Sequence, residues 1–230
     1  MTNNILEKKI FNYDVIFDIK GAIFIKQNRL LVISDLHLGK SLSINSLGYS
    51  IPMHDFSDTL YNLKKIIKEY KPSKVISLGD NFHDKNSIIR FNHESICELN
   101  SITKIAEFIW IYGNHDKELI NKEKINGNFM KSFREKELIF NNEKKNDKSD
   151  QFEFSGHFHP KTYVSVNNSR FYYKCFVLGK NFCILPSFGS YTGGLDVKSN
   201  IFRKIIRNNA NLIILGKKKI KQSKYLYDSN

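Results

Sequence analysis

Three short apolar runs constrain the fold of this chain more than any other feature. Leu30–Ser34, Val75–Leu78 and Phe108–Tyr112 are strand-length and nearly continuous in apolar residues. That pattern belongs to strands buried on both faces. Between the first two lies a segment, residues 54–70, in which Phe56, Leu60, Leu63, Ile66, Ile67 and Tyr70 recur at helical spacing with Lys and Glu between them. Pro72 forbids its continuation. A second helical stretch is predicted over 88–106. Strands that alternate with helices pair in parallel, because parallel strands need crossover connections. The expected fold class is therefore α/β, and functional groups on such sheets collect at the carboxyl ends of the strands.

Polar clusters stand at those ends: Asp35-Leu36-His37, Gly79-Asp80 and Gly113-Asn114-His115-Asp116, with a fourth, Gly156-His157-Phe158-His159, further on. In an extended strand residues i and i+2 share a side, so Asp35 with His37, and His157 with His159, are each expected to grip one ion. A lone D-x-H or H-x-H is common by chance; the ordered set is specific. Carboxylate, imidazole and amide donors together suit Mn, Fe, Zn or Co better than Ca or Mg. A pair of such ions about 3.5–4 Å apart can clamp a phosphoryl group and activate water. Asp80 is the candidate bridge between them. His115, beside Asn114 and Asp116, is free to stabilise developing charge or to protonate a leaving oxygen. His115 and Asp116 are taken as the catalytic pair.

Beyond residue 137 the character turns to β. Residues 138–140, 152–154, 163–166, 171–177 and 182–185 are strand candidates, and 201–207 and 212–215 are read as final strands. Weaker strand signals occupy 15–17 and 22–25. Residues 141–151 read as an exposed loop, and 216–230 as a basic tail. No repeat or linker interrupts the chain, so residues 1–230 are expected to form one domain.

The 36 basic and 23 acidic residues leave a formal charge of +13. Such a balance suits a polyanionic partner, although AT-rich coding also enriches Lys, Asn and Ile. Lys217, Lys218 and Lys219, followed by Lys221 and Lys224, are candidate phosphate contacts. Cys97, Cys175 and Cys183 form no CxxC pair, which argues against a disulfide framework. No run approaches the ~20 apolar residues of a membrane span, and the first residues lack a secretory h-region. A cytoplasmic location without membrane association is the expectation. His83 is a candidate to line the cleft; His54 and His93 receive no role.

These clusters resemble the calcineurin-like metallophosphoesterase superfamily. The likeness runs from about Gly21 to Val197 and is closest to the bacterial ligase-associated DNA damage response endonucleases of the PdeM type. Besides the four clusters it includes Lys174-Cys175-Phe176 and the run Leu185-Pro186-Ser187-Phe188-Gly189-Ser190-Tyr191-Thr192-Gly193-Gly194-Leu195. The resemblance implies two packed β-sheets flanked by helices (αββα). It implies one divalent metal held by Asp35, His37, Asp80 and His159, and a second by Asp80, Asn114 and His157, manganese first among the metals. It also implies DNA as substrate and association with a DNA ligase and a helicase. The chain departs from the family at one place. Where a further ligand His is usual, it has Asn142 followed by Glu143, and either could fill the second site. Three readings follow: a DNA phosphodiesterase or nuclease, a phosphoesterase for a small nucleotide or lipid precursor, and a catalytically impaired metal- and nucleic-acid-binding module.

Overall fold

The computed structural model describes residues 4–145, 150–167, 169–206 and 210–225. Its first sheet is built in chain order. Strands β1 (Ile5–Ile10), β2 (Tyr13–Asp18), β3 (Ile23–Ile25) and β4 (Leu30–Ile33) form an antiparallel meander. Helices α1 (Lys40–Ser46) and α2 (Asp55–Tyr70) lead to β5 (Lys74–Ser77). Helices α3 (Ser87–Arg90) and α4 (His93–Thr103) lead to β6 (Glu107–Ile111), and β7 (Asn128–Met130) closes the sheet. Strands β4 to β7 are parallel, as the alternation of strands and helices requires.

The second sheet takes β8 (Phe133–Glu135), β9 (Leu138–Phe140), β10 (Phe152–Ser155), β11 (Lys161–Val166), β12 (Ser169–Leu178) and β13 (Phe182–Ile184). After helix α5 (Asn200–Ile206) it adds β14 (Asn211–Leu215) and β15 (Ile220–Lys224). Its spatial order is β15-β14-β12-β13-β10-β9-β8, with β11 paired to the outer part of β12. Strands β9, β10 and β13 are parallel.

The period of two along each strand divides the apolar residues between layers. Leu30 and Val32 of β4 enter a core shared by both sheets, with Ile76, Ile109, Phe140, Phe154 and Phe176. Phe17 and Phe176 meet there edge to face, ring centres 5.1 Å apart. Leu31 and Ile33 point the other way, onto Leu60, Leu63, Ile67, Leu99 and Ile102 of α2 and α4. On the far side of the second sheet, Phe202 and Ile206 of α5 pack on Cys175, Val177 and Ile184. Both sheets are thus covered on both faces, in the order helix, sheet, sheet, helix. Each large apolar side chain so buried contributes about 1.5–3 kcal/mol.

Several expectations are corrected. The helix predicted over 88–106 is two helices. Phe91 is extended, and the Asn92 side chain accepts the Ser95 amide at 2.8 Å and starts α4 afresh. The strand expected at 201–207 is helix α5, its apolar pair Phe202 and Ile206 spaced for one helix face; a short apolar run does not distinguish the two by period. The expected tail is instead the second arm of a hairpin. β15 pairs with β14, and Tyr225 is buried with its hydroxyl on the Val197 carbonyl. A lysine-rich edge strand also resists unwanted pairing. Residues 226–230 of that expectation, 146–149 of the expected loop and Arg207 lie outside the described residues. Strands β1, β7 and β8 carry no clear signal in the sequence.

Candidate metal centre

The carboxyl ends of β4, β5 and β6 and of β10 converge at one rim of the sandwich. The ladder between β4 and β5 does not stop with the strands. Asp35 N donates to the Gly79 carbonyl, His37 N to that of Asp80 and Leu38 N to that of Asn81. The paired loops are not extended, however. Asp35 (φ 52°), His37 (46°), Asp80 (46°), His157 (71°) and His159 (44°) are all left-handed. The expectation that i and i+2 share a side in an extended strand is therefore overturned: Asp35 and His37 still meet, whereas the His157 side chain turns to Asp80 and that of His159 to Asp35 and His37. Non-glycine residues adopt this region rarely, at about 1–3 kcal/mol each, and such residues gather at functional sites.

Asp35, His37, Asp80 and His159 place one donor atom each within 4.8 Å of one another. Asp35 and Asp80 are almost wholly buried. Nε2 of His37 faces Nε2 of His159 at 3.3 Å, and the latter lies 3.2 Å from Asp35 Oδ1. The Asp35 carboxylate also accepts the Ser34 hydroxyl and the His157 amide, at 3.0 and 3.1 Å for the latter. Burial beside the His159 imidazole pushes His37 down to about 3, against the pull of Asp80. Its ring is thus neutral, the form that ligates metals.

Asp80 joins this group to a second. Its Oδ1 accepts the His115 amide at 3.0 Å, and its Oδ2 lies 3.5 Å from Nδ1 of His157. Burial works to raise the Asp80 carboxyl. The hydrogen bonds from His157 and the His115 amide and the nearby imidazoles outweigh it and hold the group at about 2. His157 is raised in turn, chiefly by that bond to Asp80. Gly113 is required here: a Cβ would run into Asp80 N and Oδ1. Gly79 serves the same purpose for Asn142, whose side chain occupies the space a Cβ would need. Asn142 is buried and its carbonyl accepts the Gly156 amide at 2.8 Å. The departure from the family thus sits at the centre, between the Asp80 and His157 loops. Glu143 is half-buried and acts electrostatically on His157. Asn114 is exposed beside His115.

Around the mouth the imidazoles crowd. His115 stands with its ring centre 5.1 Å from that of His37 and stacks on His83 at 5.8 Å. His83, held down chiefly by burial, is thus placed beside the His37 and His115 rings. Asp116 is fully buried, with Oδ1 on the Gly113 amide at 2.5 Å and Oδ2 on the Asn81 amide and side chain at 2.7 and 2.9 Å. Burial raises its carboxyl to about 6 against these bonds. Asp116 ties the Asp80 and His115 loops together and has no access to substrate. Its partner Asn81 is a residue that motif reasoning misses, although its place beside Asp80 could have marked it.

Lys174 takes no role from the sequence alone. Its ammonium donates to the Ser187 and Gly189 carbonyls at 2.7 and 3.1 Å, and Gly189 N donates to Asp35 O. Burial lowers it to about 8, with the Asp35 charge opposing. This buried cation clasps the 187–192 segment over the Asp35 loop. Lys217, Lys218 and Lys219 stand apart on the β14–β15 turn, along a cleft of about 330 Å³ with Val164 and Tyr173.

A fit to metal can be tested on the donors themselves. His37 Nδ1, His83 Nδ1 and Asn142 Oδ1 are buried without a hydrogen-bond partner. Such atoms cost about 1–3 kcal/mol each, and here they gather around one cleft with the buried carboxylates of Asp35 and Asp80. A buried Asp/His set of this kind fits a divalent metal; the donors do not select which.

The pattern of the calcineurin-like phosphoesterase family matches residues 28–181. Among solved structures, nuclease MPE from Pseudomonas putida superposes with a TM-score of 0.76 at 19% identity, covering 95% of this chain and 100% of that one. Yfce, a phosphoesterase from E. coli, superposes with a TM-score of 0.45 at 12% identity, covering 85% and 98%. A sequence search of curated proteins finds no match. No helix among the described residues is long and apolar enough to cross a membrane.

Proposed function

Because this chain belongs to the calcineurin-like phosphoesterases, a family of hydrolases, we propose that it is a metal-dependent phosphodiesterase that cuts DNA in a repair context. The observation that carries the chemistry is the meeting of two donor groups at Asp80. Asp35, His37, Asp80 and His159 would hold one ion; Asp80, His157 and Asn114 would hold the other, with Asn142 or Glu143 completing it. Manganese suits this donor set, with Fe, Zn or Co as alternatives. Bound there, the ions would supply a water nucleophile at neutral pH and neutralise charge on the phosphoryl oxygens.

The side chains do the rest. Asp80 shares one carboxylate between the two groups, its ionised form secured by the His115 amide. His115, exposed and anchored by its own backbone to Asp80, meets the phosphate and gives a proton to the leaving oxygen. His83 stacks on His115 and steadies its ring. The DNA assignment draws support from the +13 charge and from the likeness in fold to a nuclease. A ligase and a helicase would be its partners in repair.

The test is hydrolysis of bis(p-nitrophenyl) phosphate with and without manganese, followed by competition with DNA. Metal-dependent turnover that DNA inhibits is expected. Turnover that a free nucleotide or a lipid phosphate inhibits, and DNA does not, would move the substrate to a small molecule. Asn142 favours one further reading, a loosely held second ion. Metal bound without turnover at saturating manganese would make the chain a binding module.

A further inference from the structure

We propose that the ribbon formed by β11 and β12 is a binding surface for single-stranded DNA that leads into the metal centre. The inference rests on the phosphodiesterase reading and names the form of its substrate. β11 begins at Lys161, two residues after His159, and Lys161 N is bound to the Leu195 carbonyl. The clasp of Lys174 on Ser187 and Gly189 roots β12 at the same place. Beyond that root, residues 162–166 and 169–173 have each other as their strand partners among the described residues, and the ribbon flanks the β14–β15 hairpin across the clefts lined by Thr162, Val164 and Tyr173.

Residues directly opposite in an antiparallel pair share a face. Tyr163 lies opposite Tyr172, and Ser165 opposite Arg170. The two tyrosine rings sit 5.9 Å apart on that face, and Tyr172 is 52% exposed. Lys161 rests 5.0 Å from the Tyr172 ring centre, and Arg170 and Lys198 lie 4.7 and 5.4 Å from that of Tyr163. Asp196, the acid at the root, is engaged by the Lys198 amide at 2.9 Å. Tyr163 and Lys198 continue into a cleft of about 320 Å³ that Lys224 also borders.

Aromatic faces set among cations are what an unpaired strand needs: bases stack on the rings while the phosphates meet the charges. A duplex does not satisfy this surface, because its base faces are already covered by their neighbours. The strand would therefore be held by its bases on the ribbon, with the adjoining phosphodiester carried to His159. The opposite face of the ribbon bears Val164 and Phe171 across from each other, 43% and 50% exposed, and would serve a lipid surface instead.

The test uses the full chain. Tyr163→Ala/Tyr172→Ala and Tyr163→Phe/Tyr172→Phe are compared with wild type for affinity to a fluorescent dT20 oligonucleotide and to a blunt 20-base-pair duplex, and for turnover of bis(p-nitrophenyl) phosphate. The alanine pair is expected to weaken dT20 binding by roughly tenfold per ring, to leave duplex binding within about twofold, and to retain turnover of the small diester. The phenylalanine pair is expected to bind dT20 as wild type does. Unchanged dT20 affinity in the alanine pair, or equal loss on duplex and single strand, would overturn the proposal. So would binding to anionic vesicles that the alanine pair leaves intact while wild type ignores dT20. A wild type that binds dT20 through these rings but hydrolyses no diester would refute the phosphodiesterase reading alone.

Discussion

At the first donor group, Asp35, His37, Asp80 and His159 each place a donor atom within 4.8 Å of the others; at the second, His157 stands 3.5 Å from Asp80, Asn114 is exposed and Asn142 offers an unpartnered amide oxygen. The first group is locked by backbone. The Asp35 and His37 amides donate hydrogen bonds to carbonyls of the Asp80 loop, and Lys174 clasps the segment above them. The second draws on four loops, those of Asp80, Asn114, Asn142 and His157, and has the Asn142 amide where the resemblance leads one to expect an imidazole. A preorganised group binds its ion without first ordering the ligands. The contrast is between one preorganised donor group, which fits a metal ion as it stands, and a looser one; on the two-ion proposal the first ion would be held firmly and the second according to supply.

The substitution that should break both groups at once is Asp80→Asn. Losing the shared charge is expected to abolish diester hydrolysis, beyond the ~10²–10⁴-fold typical of a single proton-transfer group. Metal content by elemental analysis should fall in the same protein, while its circular dichroism spectrum stays that of wild type. His115→Ala should cost roughly 10²–10⁴-fold in turnover and leave metal content unchanged. A fall in metal content alongside the rate would make His115 a ligand. Asn142→His should sharpen the contrast by removing it. Second-ion affinity and turnover at limiting manganese are both expected to rise several-fold, measured by metal titration. Equal titrations in the two proteins would pass the role to Glu143.

Smaller effects lie outside both groups. Lys174 is lowered by burial from 10.5 to about 8. Below pH 8 it is protonated in folded and unfolded chains alike. Between about 8 and 10.5 the unfolded chain holds the proton that the folded chain has released, so stability should rise with pH across that window. Urea melts of Lys174→Met should lack this rise. Removing Lys217, Lys218 and Lys219 together should leave both donor groups and small-diester turnover untouched. If these lysines grip phosphates, the salt dependence of binding should become shallower by ~0.9 on duplex DNA, or ~0.7 on single strands, for each phosphate released. An unchanged slope would make them solvated residues of a hairpin turn.

The sequence determined by itself the parallel core of the first sheet, because the strand-length apolar runs of β4, β5 and β6 alternate with helical patterns and so need crossover connections. It also singled out Asp35, His37, Asp80 and His159, which the fold brings within 4.8 Å of one another, since the order of the four clusters is specific even where each alone is weak. Only the tertiary structure decided what the neighbours of those clusters do. Asp116 and His115 are adjacent in sequence and similar as candidates, yet one is sealed under Asn81 and Gly113 and the other faces the cleft. The period of two for strands and 3.6 for helices says which side a residue takes within an element, and the left-handed loops that carry Asp35, His37, Asp80, His157 and His159 belong to neither. The same holds for the 201–206 segment and the lysine hairpin. A short run reads alike as helix or strand until it meets the surface that buries one of its faces, and a basic run reads as tail until β14 offers it an open edge to pair with.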